Sequence, residues 1–250
     1  MDATLHWLGH ATVRLELDGI RILTDPTIRD RIGPLDRKVA PIPHHELEAV
    51  DVVLISHLHH DHLDLASLRR LGDVRLIVPA GSGAIFRAAG HRDVDEFWPG
   101  QRTTHGSLAI EIVAADHSGF RPPFGPTAPA LGFVISNGRH RIYFPGDTAV
   151  FPDMAGLPDL DLALVPVWGW GPILRGGHMD PEMAARALTL LRPGMAVPIH
   201  WGTFWPKAFG RVRADRLVRP GREFRAAAAE LAPDVRTKVL APGGRLVLRR

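Results

Sequence analysis

The chain contains no cysteine. Neither a disulfide framework nor thiolate ligation of a metal is open to it, so any metal site has to be built from histidine and carboxylate side chains. It also lacks an apolar run approaching the ~20 residues of a membrane span. Its opening, Met1-Asp2-Ala3-Thr4, moves into a strand pattern without a basic and apolar leader. These absences lead us to expect a soluble, cytoplasmic protein with no transmembrane segment. A large excess of charge is missing too: the formal net charge is +3, and the pI near 9.9 reflects an arginine-heavy basic set. That balance helps to attract an anionic substrate but is too small to argue for nucleic acid. No linker, repeat or low-complexity stretch divides the 250 residues, and a hydrophobic content of 45% suffices for one large core. Residues 1–250 are therefore expected to form a single domain.

What is present is concentrated. The apolar run Val52-Val53-Leu54-Ile55 ends in Ser56-His57-Leu58-His59-His60-Asp61-His62, which puts four imidazoles and a carboxylate on the turn leaving a buried strand. Neutral imidazole and carboxylate oxygen are the groups that zinc, iron and manganese accept. His57 and His59, two apart, can chelate one ion from an extended backbone. Asp61 and His62 come where the chain turns towards a helix and point at a second position beside the first. The spacing suggests two metals and leaves His60 unassigned. A solubilising polar turn does not account for so many like groups, which need a cation to hold them together.

Further ligands should stand at the ends of later strands. Residues 3–8, 12–17 and 20–24 read as short strands, the last two joined by the turn Asp18-Gly19. His10, in the first connection, is either a loop hydrogen-bond partner or a site residue. Asp25, closing the third strand, is either a turn residue or a carboxylate that orients a metal-bound imidazole. Residues 26–45, broken up by Pro34, Pro41 and Pro43, read as a long loop forming one wall of a substrate mouth. His44 and His45, at its end, have no strand before them and are not taken as ligands.

Beyond the histidine motif, 63–71 reads as a short helix, 74–78 as a buried strand and 83–89 as a second helix. A strand over 107–115 ends in Asp116-His117. A hairpin of 130–136 and 139–144 turns at Asn137-Gly138 and ends in Pro145-Gly146-Asp147-Thr148. A strand over 161–167 leads into a Trp- and Gly-rich loop. Asp180 as N-cap and Pro181 at the first helical position start a helix to about Leu191, and a strand over 195–199 ends in His200. A helix over 221–231 and strands over 235–240 and 245–248 follow.

His57, His117, Asp147 and His200 thus each follow an apolar strand run. A sheet that delivers such groups from the same end of several strands gives a convergent site on a rigid scaffold. Trp168, Trp170 and Phe204 lie near this mouth, as an apolar substrate wall or as ordinary core and rim. Arg211, Arg213, Arg216, Arg219, Arg222 and Arg225 are dense enough to suit phosphates. Asp215, Glu223 and Glu230 interleave with them, however, and no aromatic stacking pattern accompanies them. They read as a solvated charged face, and no nucleic-acid partner is expected.

The segments WLGHATV, LTDP, SHLHHDHLD, the strand-terminal His117, FPGDT, HMDPE and PIHWGTF run from about residue 4 to about 210. Together they resemble the metallo-β-lactamase-fold hydrolases, in particular the branch of N-acyl-phosphatidylethanolamine-hydrolysing phospholipase D and, more distantly, L-ascorbate-6-phosphate lactonase. The resemblance implies an α/β fold, the four-layer αββα sandwich in which two sheets pack face to face with helices outside. It implies that His57, His59 and His117 bind a first metal and Asp61, His62 and His200 a second, with Asp147 bridging them. Two divalent ions follow, with zinc suiting the donor set best and manganese or iron compatible. His178 matches a histidine near the centre of the resembling enzymes. It would assist the leaving group or bind an oxyanion, unless it is only a solvent-exposed neighbour of the helix cap. With Asp61 it makes up the expected catalytic pair.

Two cations roughly 3.5–4 Å apart, bridged by Asp147 and a water, would lower that water's pKa towards ~7 and supply hydroxide at neutral pH. The expected reaction is metal-dependent hydrolysis of a phosphodiester of phospholipid-like type, with a small anionic or lipid-like molecule as partner. A lactonase or other ester hydrolase with the same centre is the alternative. A nuclease and a catalytically silent, metal-stabilised binding protein rank below it. No protein nucleophile is needed, in keeping with the lack of cysteine and of a nucleophile elbow. The chain departs from the phospholipase in lacking a long amino-terminal extension, in a shorter 26–45 loop and in the Pro- and Gly-rich stretch 118–129. These are parts of the mouth, so the resemblance carries the catalytic core and not the lipid substrate.

Overall fold

Apolar residues that recur with a period of two dictate strands at both ends of the chain. A computed structural model describes residues 2–168, 176–209 and 214–249. β1 (Ala3–Gly9), β2 (Thr12–Leu17) and β3 (Ile20–Thr24) form an antiparallel meander, and β4 (Arg31–Ile32) and β5 (Leu35–Arg37) a short hairpin. Next come β6 (Val52–Leu54), α1 (Leu65–Leu68), β7 (Arg75–Pro79), α2 (Gly83–Ala88) and β8 (Val94–Phe97), whose strands pair in parallel. β9 (Arg102–His105), β10 (Leu108–Ala114), β11 (Leu131–Ser136) and β12 (Arg141–Phe144) make an antiparallel ribbon. β13 (Leu162–Pro166), α3 (Pro181–Leu191) and β14 (Met195–Ile199) extend it with parallel strands. β15 (Phe204–Pro206), α4 (Ala214–Leu231), β16 (Arg236–Thr237) and β17 (Gly244–Leu248) follow.

The strand orders are β17-β1-β2-β3-β6-β7-β8 in one sheet and β16-β14-β13-β12-β11-β10-β9 in the other. Their inner faces meet in one buried cluster, where Leu5, Trp7, Val13 and Leu15 join Ile110, Ile112, Phe133 and Phe144. Leu188 of α3 and Phe224 of α4 belong to the same cluster. On the outer face of the first sheet, Leu8, Val53, Ile55 and Val78 pack with Leu68 of α1 and Phe86 of α2. Helices therefore flank two face-to-face sheets, which is the αββα order. Fully burying an aliphatic or aromatic side chain of this kind contributes ~1.5–3 kcal/mol. Among the described residues, no helix is long and apolar enough to cross a membrane.

Several elements differ from expectation. The 26–45 stretch is not all loop, because β4 and β5 are completed by β15 into a third, three-stranded sheet. Two and three residues are too few to show alternation, and the partner strand lies far along the chain. β8 and β9 were not anticipated because they are edge strands, Val-Asp-Glu-Phe and Arg-Thr-Thr-His, whose polar residues face water. The helix expected over 63–71 is one turn, α1, that passes into a 3-10 turn at Arg69–Leu71. α4 starts at Ala214 rather than at 221 and carries Pro220 inside it. A Cβ at Gly221 would lie 2.5 Å from the Trp201 indole, so glycine lets the helix run close over that ring. The strand expected over 235–240 is reduced to β16.

Candidate metal centre

β1, β3 and β6 run in one direction in the first sheet, as do β10, β12, β13 and β14 in the second. The loops leaving their carboxyl ends carry His10, Asp25, the 56–62 turn, His117, Asp147, Trp168 and His200. Backbone bonds sew these loops together, two of them across the two sheets and one within the second. His200 N donates to His10 O (2.9 Å), Leu131 N to Ser56 O (2.8 Å) and Ala149 N to Asp116 O (2.9 Å). Three residues here, His10, Asp25 and His200, hold φ of 53°, 33° and 67°. Non-glycine residues rarely adopt such angles unless the surroundings impose them.

Ligand-type atoms converge in overlapping groups. His57, His59 and His117 form one, and His10, Asp61, His62 and His200 another, each with its atoms within 4.8 Å of one another. Asp147 stands between them. Its Oδ2 is 3.2 Å from His62 Nε2 and 3.5 Å from His178 Nε2, while its Oδ1 is 3.2 Å from His200 Nε2. Asp61 Oδ2 lies 3.9 Å from His62 Nε2 and 3.8 Å from His200 Nε2.

The tautomers argue that these groups fit a cation. His62 Nδ1 donates to Asp25 Oδ2 (2.7 Å), His117 Nδ1 to Gly177 O (2.6 Å) and His200 Nδ1 to Trp168 O. A neutral imidazole that donates from Nδ1 presents a lone pair at Nε2. The Nε2 atoms of His62 and His200 nevertheless face each other at 3.1 Å, and His117 Nε2 faces His59 Nδ1 at 3.0 Å. His57 Nε2 is buried and finds no hydrogen-bond partner. Nitrogens this close need a proton or a metal ion between them, because two facing lone pairs repel.

Electrostatics agree. Burial pushes the His57 ring well below the usual histidine range, His117 down to about 4 and His10 to about 3. His59 and His200 are lowered for the same reason. Neutral rings are the ligating form. His62 is the exception: burial disfavours its charge, but the carboxylates of Asp147 and Asp25 outweigh that and raise it well above the ordinary value. Asp61 and Asp147 are held well below the carboxylate range. Burial opposes ionisation of both, and His10 and His62 prevail at Asp61, as His200 and His62 do at Asp147. The pocket thus stabilises a positive charge beside anionic carboxylates.

Every residue expected as a ligand, His57, His59, Asp61, His62, His117, Asp147 and His200, is in this assembly. His178, one-fifth exposed, stands against Asp147 and 4.7 Å ring to ring from His117, so it is not merely a cap neighbour. Asp180 caps α3 by accepting from Met183 N (2.8 Å). Gly177 must be a glycine, because at its φ of 84° a Cβ would lie 2.7 Å from His117 Nδ1.

Asp25 is more than a turn residue. Besides His62, its carboxylate accepts from Ser56 N (2.7 Å) and Ser56 Oγ (2.6 Å). His10 belongs to the site, its Nε2 being 3.1 Å from Asp61 Oδ2. Sequence reasoning missed Ser56 as a participant, although it opens the histidine motif. His44 and His45 are exposed and pair with Glu48 and Glu46, away from the centre. Phe204 is core, not wall: it is buried with Ile32 and Leu35, 5.4 Å from the His10 ring. Trp168 is half-buried, and Trp170 lies outside the described residues. Arg216, Arg219, Arg222 and Arg225 stand exposed on α4, with Arg219 paired to Glu223 at 2.6 Å. Arg211 and Arg213 lie outside the described residues.

The family model described as "Beta-lactamase superfamily domain" matches residues 20–201. The chain is 31% identical, over 96% of both chains, to a UPF0173 metal-dependent hydrolase of Aeropyrum pernix. It is 30% identical to an N-acyl-phosphatidylethanolamine-hydrolyzing phospholipase D of Caenorhabditis elegans, over 79% of this chain and 63% of that one. It spans 58% of the length of the mycobacterial relatives that it matches at 36% identity. The solved structure of Igni18, a metallo hydrolase of Ignicoccus hospitalis, covers 100% of both chains with a TM-score of 0.75 at 24% identity, a likeness of fold. On the match over residues 20–201, with two face-to-face sheets delivering histidines and aspartates to one edge, the chain belongs to the β-lactamase superfamily.

Proposed function

We propose that the protein is a dinuclear metal-dependent hydrolase acting on phosphodiesters in small anionic or lipid-like molecules. The observation that carries this reading is Asp147, whose two carboxylate oxygens are shared between His62, His200 and His178 beside the His57, His59 and His117 group. In this reading His57, His59 and His117 hold one divalent ion, Asp61, His62 and His200 the other, and Asp147 both. Nitrogen and oxygen donors without thiolate suit zinc, and manganese or iron are compatible. Bound there, the ions would lower the pKa of a coordinated water and polarise the scissile group.

The chain's own residues supply the rest. Asp25 and the Trp168 carbonyl orient His62 and His200, and His10 orients Asp61, which as both ligand and carboxylate would steer the attacking water. His178, partly exposed and beside Asp147, would give a proton to the leaving oxygen. The nematode relative named for phospholipase D activity supports phosphorus rather than carbon as the centre attacked. One buried cluster that holds both Ala3 and Leu248 supports a single domain over 1–250, for which a cytoplasmic location is part of the proposal.

The test is metal content by elemental analysis, with hydrolysis of bis(p-nitrophenyl) phosphate and a simple lactone followed on the same sample. Two metals per chain with phosphodiester cleavage are expected. Cleavage of the lactone alone would overturn the substrate class, and one metal at full activity would overturn the dinuclear centre.

A further inference from the structure

His60 is the one histidine of the motif that holds no place among the converging ligands. Its exposed ring instead donates through Nε2 to Pro122 O (2.9 Å), in the segment that follows His117. That segment is a closed hairpin: Phe120 bridges to Thr127, Arg121 N donates to Pro126 O (3.0 Å), Gly125 N to Arg121 O (2.8 Å) and Ala128 N to Gly119 O (3.2 Å). Arg121 reaches back from it. Its Nη1 donates to Leu58 O (2.5 Å) and to Leu63 O (3.2 Å).

The two leucines flank the four residues that contain His59, Asp61 and His62. Between them the backbone is a tight turn in which His62 N (3.1 Å) and Leu63 N (2.8 Å) both donate to His59 O. Leu58 and Leu63 are fully buried, so their carbonyls need donors from the protein rather than from water. One guanidinium nitrogen serves both ends of the turn. Asp64, next in the chain, is committed to Arg29 through two bonds (2.8 and 2.7 Å) and to the cap of α1.

We infer that Arg121 and His60 are positioning residues that clamp the histidine turn from the 118–129 hairpin, so that this hairpin sets metal retention and does not merely line the mouth. The inference rests on the ligand assignment proposed above. Groups that orient metal ligands typically change affinity by about 10- to 100-fold when removed.

The experiment loads the wild type, Arg121→Ala, Arg121→Lys and His60→Ala with zinc and follows metal loss to a chelator by elemental analysis. Melting of the metal-free proteins and the kcat and KM for bis(p-nitrophenyl) phosphate are measured alongside. Arg121→Ala should lose metal about 10- to 100-fold faster, with part of the loss restored in Arg121→Lys. His60→Ala, which loses one exposed bond, should change it by about 3-fold. A purely structural role would lower the melting temperature and leave metal loss from the folded protein unchanged. Wild-type rates of metal loss in all three variants, with only KM altered, would overturn the inference and leave the ligand assignment standing. A wild type that takes up no zinc, manganese or iron would overturn both. Should Arg121→Ala not fold, Arg121→Lys and His60→Ala decide by the same readout.

Discussion

On one side of Asp147, His62 and His200 are buried, and their Nδ1 atoms are anchored on the Asp25 carboxylate and the Trp168 carbonyl. On the other side His57 is buried as well, but His59, His117 and His178 are only half-buried, and His117 is anchored on a backbone carbonyl of the loop before α3. In the proposed function the difference would separate two tasks. A ring fixed on a buried carboxylate, as His62 is, suits retention of a metal, whereas a ring partly open to solvent can meet a substrate and exchange protons. The same carboxylate borders both sides, so in the proposed centre binding and turnover would meet at Asp147.

Removing that residue should erase the contrast. Asp147→Ala is expected to lose metal and to reduce turnover by at least about 10⁴-fold, as elemental analysis and kinetics on one preparation would show. His178→Ala should separate the two sides, with kcat down by about 10²- to 10⁴-fold and metal content unchanged. Metal loss in that variant would make His178 a ligand and the open side a binding side as well. Asp25→Ala should do the reverse, weakening zinc binding by about 10- to 100-fold while enzyme refilled with excess zinc regains most of its kcat. Competition with a chelating dye measures the affinity.

The smallest effect on turnover is expected at Glu46, remote from the centre. It is buried and lies within 2.9 Å of Arg14, 2.7 Å of His6 and 2.5 Å of Arg245. Burial works against its charge, but His6 and Arg245 outweigh that and hold its carboxyl at about 2. A carboxyl lowered in the folded state contributes stability above its ordinary value near 4.5, and this is lost as pH falls from there towards 2. The contribution is at most about 3 kcal/mol. Glu46→Gln should therefore narrow the gap in melting temperature between pH 6 and pH 3, with activity at neutral pH unchanged. An equal gap in both proteins would remove Glu46 from the acid response.

What could be read from the sequence was what is local. Ser56 to His62 is one turn, and His117, Asp147 and His200 each end an apolar run, so strand ends and donor chemistry pointed to the ligands together. Asp25 and His10 stayed open because their partners, His62 and Asp61, are set by the order of β1, β3 and β6 within the first sheet, which brings distant parts of the chain side by side. The third sheet was hidden for the same reason, as β5 finds its partner in β15. Arg121 gave no signal at all. Its role depends on two backbone carbonyls, and a carbonyl has no letter in a sequence.

The pairing of β1 with β17 joins the first strand to the last. A chain leaving the ribosome carries all seven candidate ligands once His200 has emerged, yet β1 still waits for the strand that will cover its open edge. Completion of the first sheet is therefore a late, long-range event, of the kind that makes folding slow. A cation that prefers the finished protein would act as a latch on that final closure, holding shut a sheet edge whose two neighbouring strands were made at opposite times.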